Sequence, residues 1–359
     1  MSIRVEPSEL LNWLQVESVP YVVLRDGDLV QAHCLADLHD LDLLIEDAAI
    51  PALKERFSKA RGTLKVDVYG AAGQHGTDYH GFPHLPEAMA RSAIAGCIRE
   101  NGVCLPSPGD ELLALVYHLA YHKNIQSGVH WADAKLSADN VYTRRVTSLL
   151  ASAGQQLELT LNAFHEYLCR YGYAVSEERL IAYLQHDFRS GRKSYFHALL
   201  QDRQPGELNL FVIRGIALKH GCYEQLLDKL RQRFDVVAVK PIPWLTRWRT
   251  RKQMRGGKWK RGGKPHVAIV TFDRQPEVST SAERAVHPFV FNRNQFVKLE
   301  WRDWFTTHSS ARQKDNPIHS TDNEAEAFGH LPLFFDPQER SEIHRRLQSL
   351  RGEVSACGH

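Results

Sequence analysis

Two groups of residues in this chain have the types and spacing for phosphate chemistry. The first centres on His319 in the segment NPIHSTDNEAEAFGHLPLFF, Asn316 to Phe335. Thr321, Asp322, Asn323 and Glu324 fit a capping-box pattern, so a helix is expected to begin there. A helix N-terminus offers unpaired N–H groups and a partial positive charge, which suit a phosphate. An imidazole beside it could take up a phosphoryl group; the plainer reading is a capping loop with an incidental His. The second group is acidic. Asp40 and Asp42 stand two apart in HDLDLLIED, and a β-strand there puts both side chains on one face. Asp67 in LKVDVYG occupies another expected strand and could reach the same edge. Three carboxylates give Mg²⁺ (or Mn²⁺) the hard oxygen ligands it needs, with the phosphates of a nucleoside triphosphate completing the shell. Solvated strand carboxylates are the alternative.

Two weaker signals accompany these. His118 and His122 lie one turn apart in YHLAYHK, beside Lys123. That spacing can bind zinc, but there is no HExxH glutamate and no third ligand in view. Histidines hydrogen-bonded at a helix–sheet seam are the expected reading, ahead of a phosphate contact from His122 or Lys123. The stretch RWRTRKQMRGGKWKRGGK carries nine Arg or Lys residues, among them Arg255 and Lys258, interleaved with Trp248 and Trp259. Paired glycines let backbone approach an anion, arginines make bidentate phosphate contacts, and a Trp can stack on a base. Single-stranded nucleic acid suits the same composition, and so does a merely solvated face.

The elements that must hold these residues follow from patterning. YVVLR, LDLLI and LKVDVYG read as strands, and SPGDELLALVYHLAYHK as a long apolar helix started by Pro108 and Asp110. Helical periodicity continues from about residue 145 to about 200. The polar stretch Gln201–Glu207 is the expected domain boundary. Beyond it come LNLFVIRG (strand), CYEQLLDKLRQRF (helix), DVVAVKPI and HVAIVTF (strands), and the helix PQERSEIHRRLQSL, with a frayed tail from Arg351. The divisions expected are residues 1–135, a helical extension and linker 136–205, a second domain 206–350 and a tail 351–359.

Composition is that of an ordinary globular chain: 359 residues, 43% hydrophobic and 24% charged. A net charge of +3 is too small to argue for nucleic acid, which is not the expected partner. The six cysteines have no CxxC pairing or zinc spacing and fit a reducing cytosol. No signal-type or membrane-spanning run is found, so a cytoplasmic location is expected.

From Leu208 onward, LFVIRGIALKHGCYEQLLDKLRQRFDVVAVKPI, GKPHVAIVTF and NPIHSTDNEAEAFGHLPLFF resemble, in order, a nucleoside-diphosphate kinase. The resemblance implies a ferredoxin-like domain. His319 then matches the phosphoryl-accepting His, Asn316 the nucleotide-contacting Asn and Asp322 the Asp after the His. Arg214 stands at a phosphate-binding Lys, and Arg302 is the candidate for a later phosphate-binding Arg. His330 stands where that family has the Glu that orients the imidazole, and Ser320-Thr321 where it has Gly-Ser. The basic stretch falls where its nucleotide-covering hairpin lies. Asp40, Asp42 and Asp67 resemble the metal-binding aspartates of the nucleotidyltransferase superfamily, although its preceding Gly-Ser pair is absent and Gly27 is a loose substitute. Leu24 and Arg25 are similar to a divergent branch found in surface-polysaccharide gene clusters, which makes Arg25 a phosphate candidate. The implied architecture is α/β and α+β: a nucleotidyltransferase-like mixed sheet with a helical extension, then a nucleoside-diphosphate-kinase-type domain. The implied function is a Mg²⁺-dependent, nucleotide-using phosphotransferase or nucleotidyltransferase. Its acceptor would be a small phosphorylated or hydroxyl compound, and the C-terminal domain could also form a homo-oligomer. A C-terminal domain that only binds nucleotide or mediates oligomerisation is the first rival reading, a nucleic-acid-binding protein the second.

Overall fold

A computed structural model describes residues 1–25, 40–100, 102–190, 196, 199, 205–253, 261–287, 290, 292–312 and 315–357. Gly27, Arg255, Lys258 and Trp259 lie outside the described residues, as does most of the expected boundary stretch, Gln201–Gln204. The chain divides into two compact units, Met1–Arg179 and Leu180–His359.

The first unit is built on β1 (Ser2–Val5), α1 (Pro7–Val16), β2 (Tyr21–Val23), β3 (Asp40–Ile45), α2 (Ile50–Phe57) and β4 (Leu64–Gly70). The four strands form a mixed sheet in the order β1-β4-β3-β2. β3 and β4 run parallel, which requires a crossover, and α2 supplies it. β3 is buried along nearly its whole length, Asp42 included, whereas β4 alternates. Leu64, Val66 and Val68 enter the core, so Lys65, Asp67 and Tyr69 share the other face. Register places Asp42 opposite Asp67 and Asp40 opposite Lys65. Then follow α3 (Glu87–Ala95), the paired strands β5 (Ile98–Glu100) and β6 (Val103–Leu105), and α4 (Pro108–Tyr117). Ser107 caps α4, its hydroxyl accepting from Asp110 N at 3.2 Å. The apolar helix does not continue as α-helix: His118–Lys123 widen into a π-turn, and Asn124 ends it at φ 53°. α5 (Val141–Ser152) and α6 (Leu161–Arg170) complete the unit, and α7 (Glu177–Ser190) contains the point of division.

The second unit runs β7 (Glu207–Arg214), α8 (Gly215–Lys219), α9 (Tyr223–Arg233), β8 (Asp235–Pro241), α10 (Trp244–Gln253), β9 (Pro265–Asp273), α11 (Ser281–Val286), α12 (Asn294–His308), β10 (Ile318–Ser320), α13 (Glu324–Phe334) and α14 (Pro337–Cys357). Its sheet has the order β10-β7-β9-β8 with every neighbour antiparallel. β9 therefore lies between β7 and β8, a split β-α-β arrangement. Phe211 and Ile213 of β7, Leu226 and Leu230 of α9, Trp301 of α12 and Ile318 of β10 share one buried cluster. That burial fixes α9 and α12 on the sheet.

The helix start after His319 lies two residues later than the sequence pattern suggests. Asn323 is the cap, accepting from Glu326 N at 2.8 Å, while the Glu326 carboxylate accepts from Asp322 N at 2.5 Å. Thr321 is instead drawn into pairing with β7, its N–H donating to Leu210 O at 3.0 Å. The expected frayed tail is also corrected: α14 runs to Cys357, held where buried Arg351 pairs with buried Glu324.

Beside that pair lies Glu207, accepting from Asn294 Nδ2 at 3.0 Å and Asn209 Nδ2 at 3.3 Å. Burial, and then the Glu324 charge, push its carboxyl up from 4.5 to about 8. The folded chain thus holds a proton that the unfolded chain releases above 4.5. This contribution to stability is complete below that pH and is lost as pH rises through about 8. Thermal melts across this range should show Tm falling, and Glu207→Gln should flatten that limb. Each kcal/mol relieved raises Tm by roughly 3 °C in a unit of this size.

Candidate functional site

His319 is the middle residue of β10, an edge strand, paired opposite Val212. Its neighbour Ile318 enters the core, so alternation turns the imidazole to the other face. The residue is only 9% exposed, and its Nε2 is buried without a hydrogen-bond partner. Burial, followed by the charges of Lys298 and Arg214, with His330 and Arg302 next, holds its proton affinity well below the usual histidine range. A neutral imidazole with an available lone pair results.

The cations come from three places. Arg214 ends β7 and is 3% exposed; burial and the charge of Arg302 push its guanidinium down to about 10. Lys298 and Arg302 stand one turn apart on α12. Arg302 donates from Nε and Nη2 to Ile318 O, at 3.2 and 3.0 Å, tying the helix to the strand that carries His319. Lys298 lies 3.5 Å from Asp322 Oδ1. Lys298 was missed by sequence reasoning, although its spacing to Arg302 is the signature of one helix face. His330, on α13, is buried and close enough to lower the basicity of His319.

Asn316 joins through the backbone. Arg214 N donates to Pro317 O at 2.8 Å, and Asn316 N to Arg261 O at 2.5 Å. The described end of the basic stretch, Arg261–Lys264, is therefore laid against Arg214 and Asn316. Gly262 allows it: a Cβ there would lie 2.0 Å from Asn316 O and 2.7 Å from Arg214 Cδ. Gly262→Ala should therefore move both residues and cost about 1–3 kcal/mol of stability, measurable by denaturant melts. The side chain of Asn316 ends in an Oδ1 that is buried and unpartnered. Thus His319, Arg214, Arg302, Asp322 and Asn316 are brought together. The positive end of α13 is matched by its own Glu324 and Glu326, so convergent cations, rather than that helix end, make this region attractive to an anion.

The N-terminal carboxylates are differently placed. Asp42 is paired with Arg25, and the pair is largely buried. Asp67 takes Lys65 at 2.6 Å and the Ser2 hydroxyl, while Asp40 lies 3.9 Å from Lys65 Nζ. Arg25 thus neutralises Asp42, and the single charge of Lys65 is shared between Asp67 and, more distantly, Asp40. Among the described residues their oxygens do not gather into one three-ligand group. As arranged they do not fit a shared Mg²⁺, and admitting one requires these ion pairs to open.

His118 and His122 do lie at a seam, but with a companion that sequence spacing could not reveal. His84 joins them, and one ring nitrogen from each lies within 4.8 Å of the others. Arg25 Nη1 is 3.0 Å from His118 Nδ1, which is 3.3 Å from His122 Nδ1. Burial lowers the basicity of all three well below the usual range; His122 adds to this at His84, and Arg25 at the other two.

No protein-family profile and no curated protein matches this chain. A solved structure, the nucleoside diphosphate kinase of Aquifex aeolicus, is similar to it at 17% identity over 37% of this chain and 98% of that one, with a TM-score of 0.25. No helix among the described residues is long and apolar enough to cross a membrane.

Proposed function

We propose that the second unit is a ferredoxin-like, nucleoside-diphosphate-kinase-like phosphotransferase domain with His319 as phosphoryl acceptor. One observation carries the reading: a buried, neutral imidazole is set among Lys298, Arg214 and Arg302. Cations converging on a dry site favour a polyphosphate, and a neutral ring nitrogen has the lone pair to attack phosphorus. In the first half-reaction a bond forms between that nitrogen and the terminal phosphorus of a nucleoside triphosphate. The bridging P–O bond breaks, and the electron pair leaves with the nucleoside diphosphate. The second half-reaction passes the phosphoryl group to the oxygen of an acceptor. Mg²⁺ or Mn²⁺ enters as the counter-ion of the nucleotide. Charge neutralisation and positioning are the main demands of such a transfer.

The first unit, in the same proposal, is nucleotidyltransferase-like, with Arg25 as its phosphate contact and Asp40, Asp42 and Asp67 recruited to a metal–nucleotide once their ion pairs open. An acceptor from surface-polysaccharide synthesis and a cytoplasmic setting belong to this reading. A second reading, in which the domain binds nucleotide without transferring phosphate, is favoured by His330, which brings no negative charge to steady a phosphorylated ring. Intact mass after incubation with Mg²⁺–ATP or Mg²⁺–GTP separates the two. An acid-labile phosphate adduct supports transfer. Saturable binding with no adduct at any time point supports the second reading, and neither binding nor adduct removes both.

A further inference from the structure

The first unit holds a cluster that neither its carboxylates nor the phosphotransfer proposal uses. We propose that His84, His118 and His122 form a binding site for one divalent transition-metal ion of the zinc class.

Three imidazoles on tetrahedral zinc place their nitrogens about 3.4 Å apart, from Zn–N distances near 2.0–2.1 Å. The ring nitrogens here lie within 4.8 Å of one another, so closure asks for shifts of only about 1 Å. The ligand set is all nitrogen. Such a set selects zinc, cobalt, nickel or copper over magnesium, which needs oxygen.

Unsatisfied atoms point the same way. Both ring nitrogens of His84, and Nε2 of His118, are buried with no hydrogen-bond partner. A neutral imidazole has one lone-pair nitrogen, and at His84 no donor among the described residues reaches it; coordination would satisfy it.

The local backbone and packing hold the rings in place. The π-turn over His118–Lys123 carries two of the ligands, and Asn124 beside it and His80 near His84 both adopt positive φ, 53° and 55°. π-Turns and such residues concentrate at functional sites. Tyr69 stacks on His84 with ring centroids 3.8 Å apart, and Tyr79 lies 4.6 Å from His122. These walls limit rotation of the imidazoles.

Among the described residues Arg25 is the cation in direct contact with the cluster, while Lys123 and Arg179 add positive charge near His118 and His122. A guanidinium only donates, so the 3.0 Å contact makes His118 Nδ1 an acceptor. An ion on Nδ1 takes the place of that N–H; an ion on Nε2 requires the proton to move to Nδ1, which also displaces it. In either case Arg25 keeps its partner Asp42, whose charge offsets its own. Three protein ligands leave a fourth position open, as in catalytic rather than structural zinc sites.

The test uses the full chain, stripped with a chelator and dialysed against Zn²⁺ or Co²⁺. Elemental analysis should give about one metal per chain, and the Co²⁺ form should show the intense visible absorption of a tetrahedral ion. Zn²⁺ should raise Tm, and His84→Asn and His122→Gln should each lose the bound metal, the Co²⁺ spectrum and the Zn²⁺-dependent Tm gain. Substoichiometric metal, an octahedral Co²⁺ spectrum, or metal kept by both variants would overturn the proposal. If a variant fails to fold, the Co²⁺ spectrum of the unaltered chain decides alone.

Discussion

His319→Ala should eliminate the acid-labile adduct and reduce phosphoryl transfer by roughly 10³-fold or more, because no other group can take over a covalent step. Nucleotide binding should survive, since Lys298, Arg214 and Arg302 remain. The proton affinity of His319 is depressed by burial first and by its cations second. Adduct formation should therefore not fall between pH 7 and pH 6, where an ordinary histidine would protonate. Single-turnover quench measurements on wild type and variant across that range check both statements. A rate that drops with a midpoint near the usual histidine value would mean the ring is exposed when it reacts.

Arg214→Gln should weaken nucleotide binding roughly 30- to 100-fold, the equivalent of about 2–3 kcal/mol for a charge-assisted contact in a dry site. Stability of the unliganded chain should move the opposite way. Arg214 is buried and repelled by Arg302 strongly enough to bring its guanidinium down to about 10. Removing that charge should raise Tm by roughly 2–4 °C, about 1 kcal/mol. Calorimetric titration with a nucleotide, paired with a thermal melt of the apoprotein, reads both effects. Weaker binding together with lower stability would mean that Arg214 is a structural anchor instead of an anion ligand.

Strands whose side chains are patterned by burial were legible in the sequence. LKVDVYG is β4 over its whole length, and LNLFVIRG, DVVAVKPI and HVAIVTF correspond to β7, β8 and β9 within a residue or two. Most short strands were not, although β2 was found within YVVLR. β1, β5 and β10 are three or four residues long, too brief for a period to declare itself. The α13 start was misplaced because Thr321 satisfies two rules at once, a cap in isolation and a strand residue beside Leu210. Of the C-terminal site, order along the chain supplied His319, Asn316 and Arg214, while Lys298 emerged only when α12 was laid over β10. The histidine trio was least legible, because His84 lies 34 positions before His118 and the seam joining them is tertiary.

β10 is three residues long and is an edge strand that pairs with β7, with Arg302 as a further tie at Ile318 O. Strands in the middle of a sheet open only when the whole unit unfolds, whereas a short margin can detach at far lower free energy. The amides of Ile318–Ser320 should accordingly exchange with solvent deuterium much faster than those of β7 and β9. A ring that is nearly sealed at rest thereby acquires a route to solvent, by brief fraying of the strip that bears it. A bound polyphosphate, by clamping that strip, should slow the exchange there and leave the central strands unchanged.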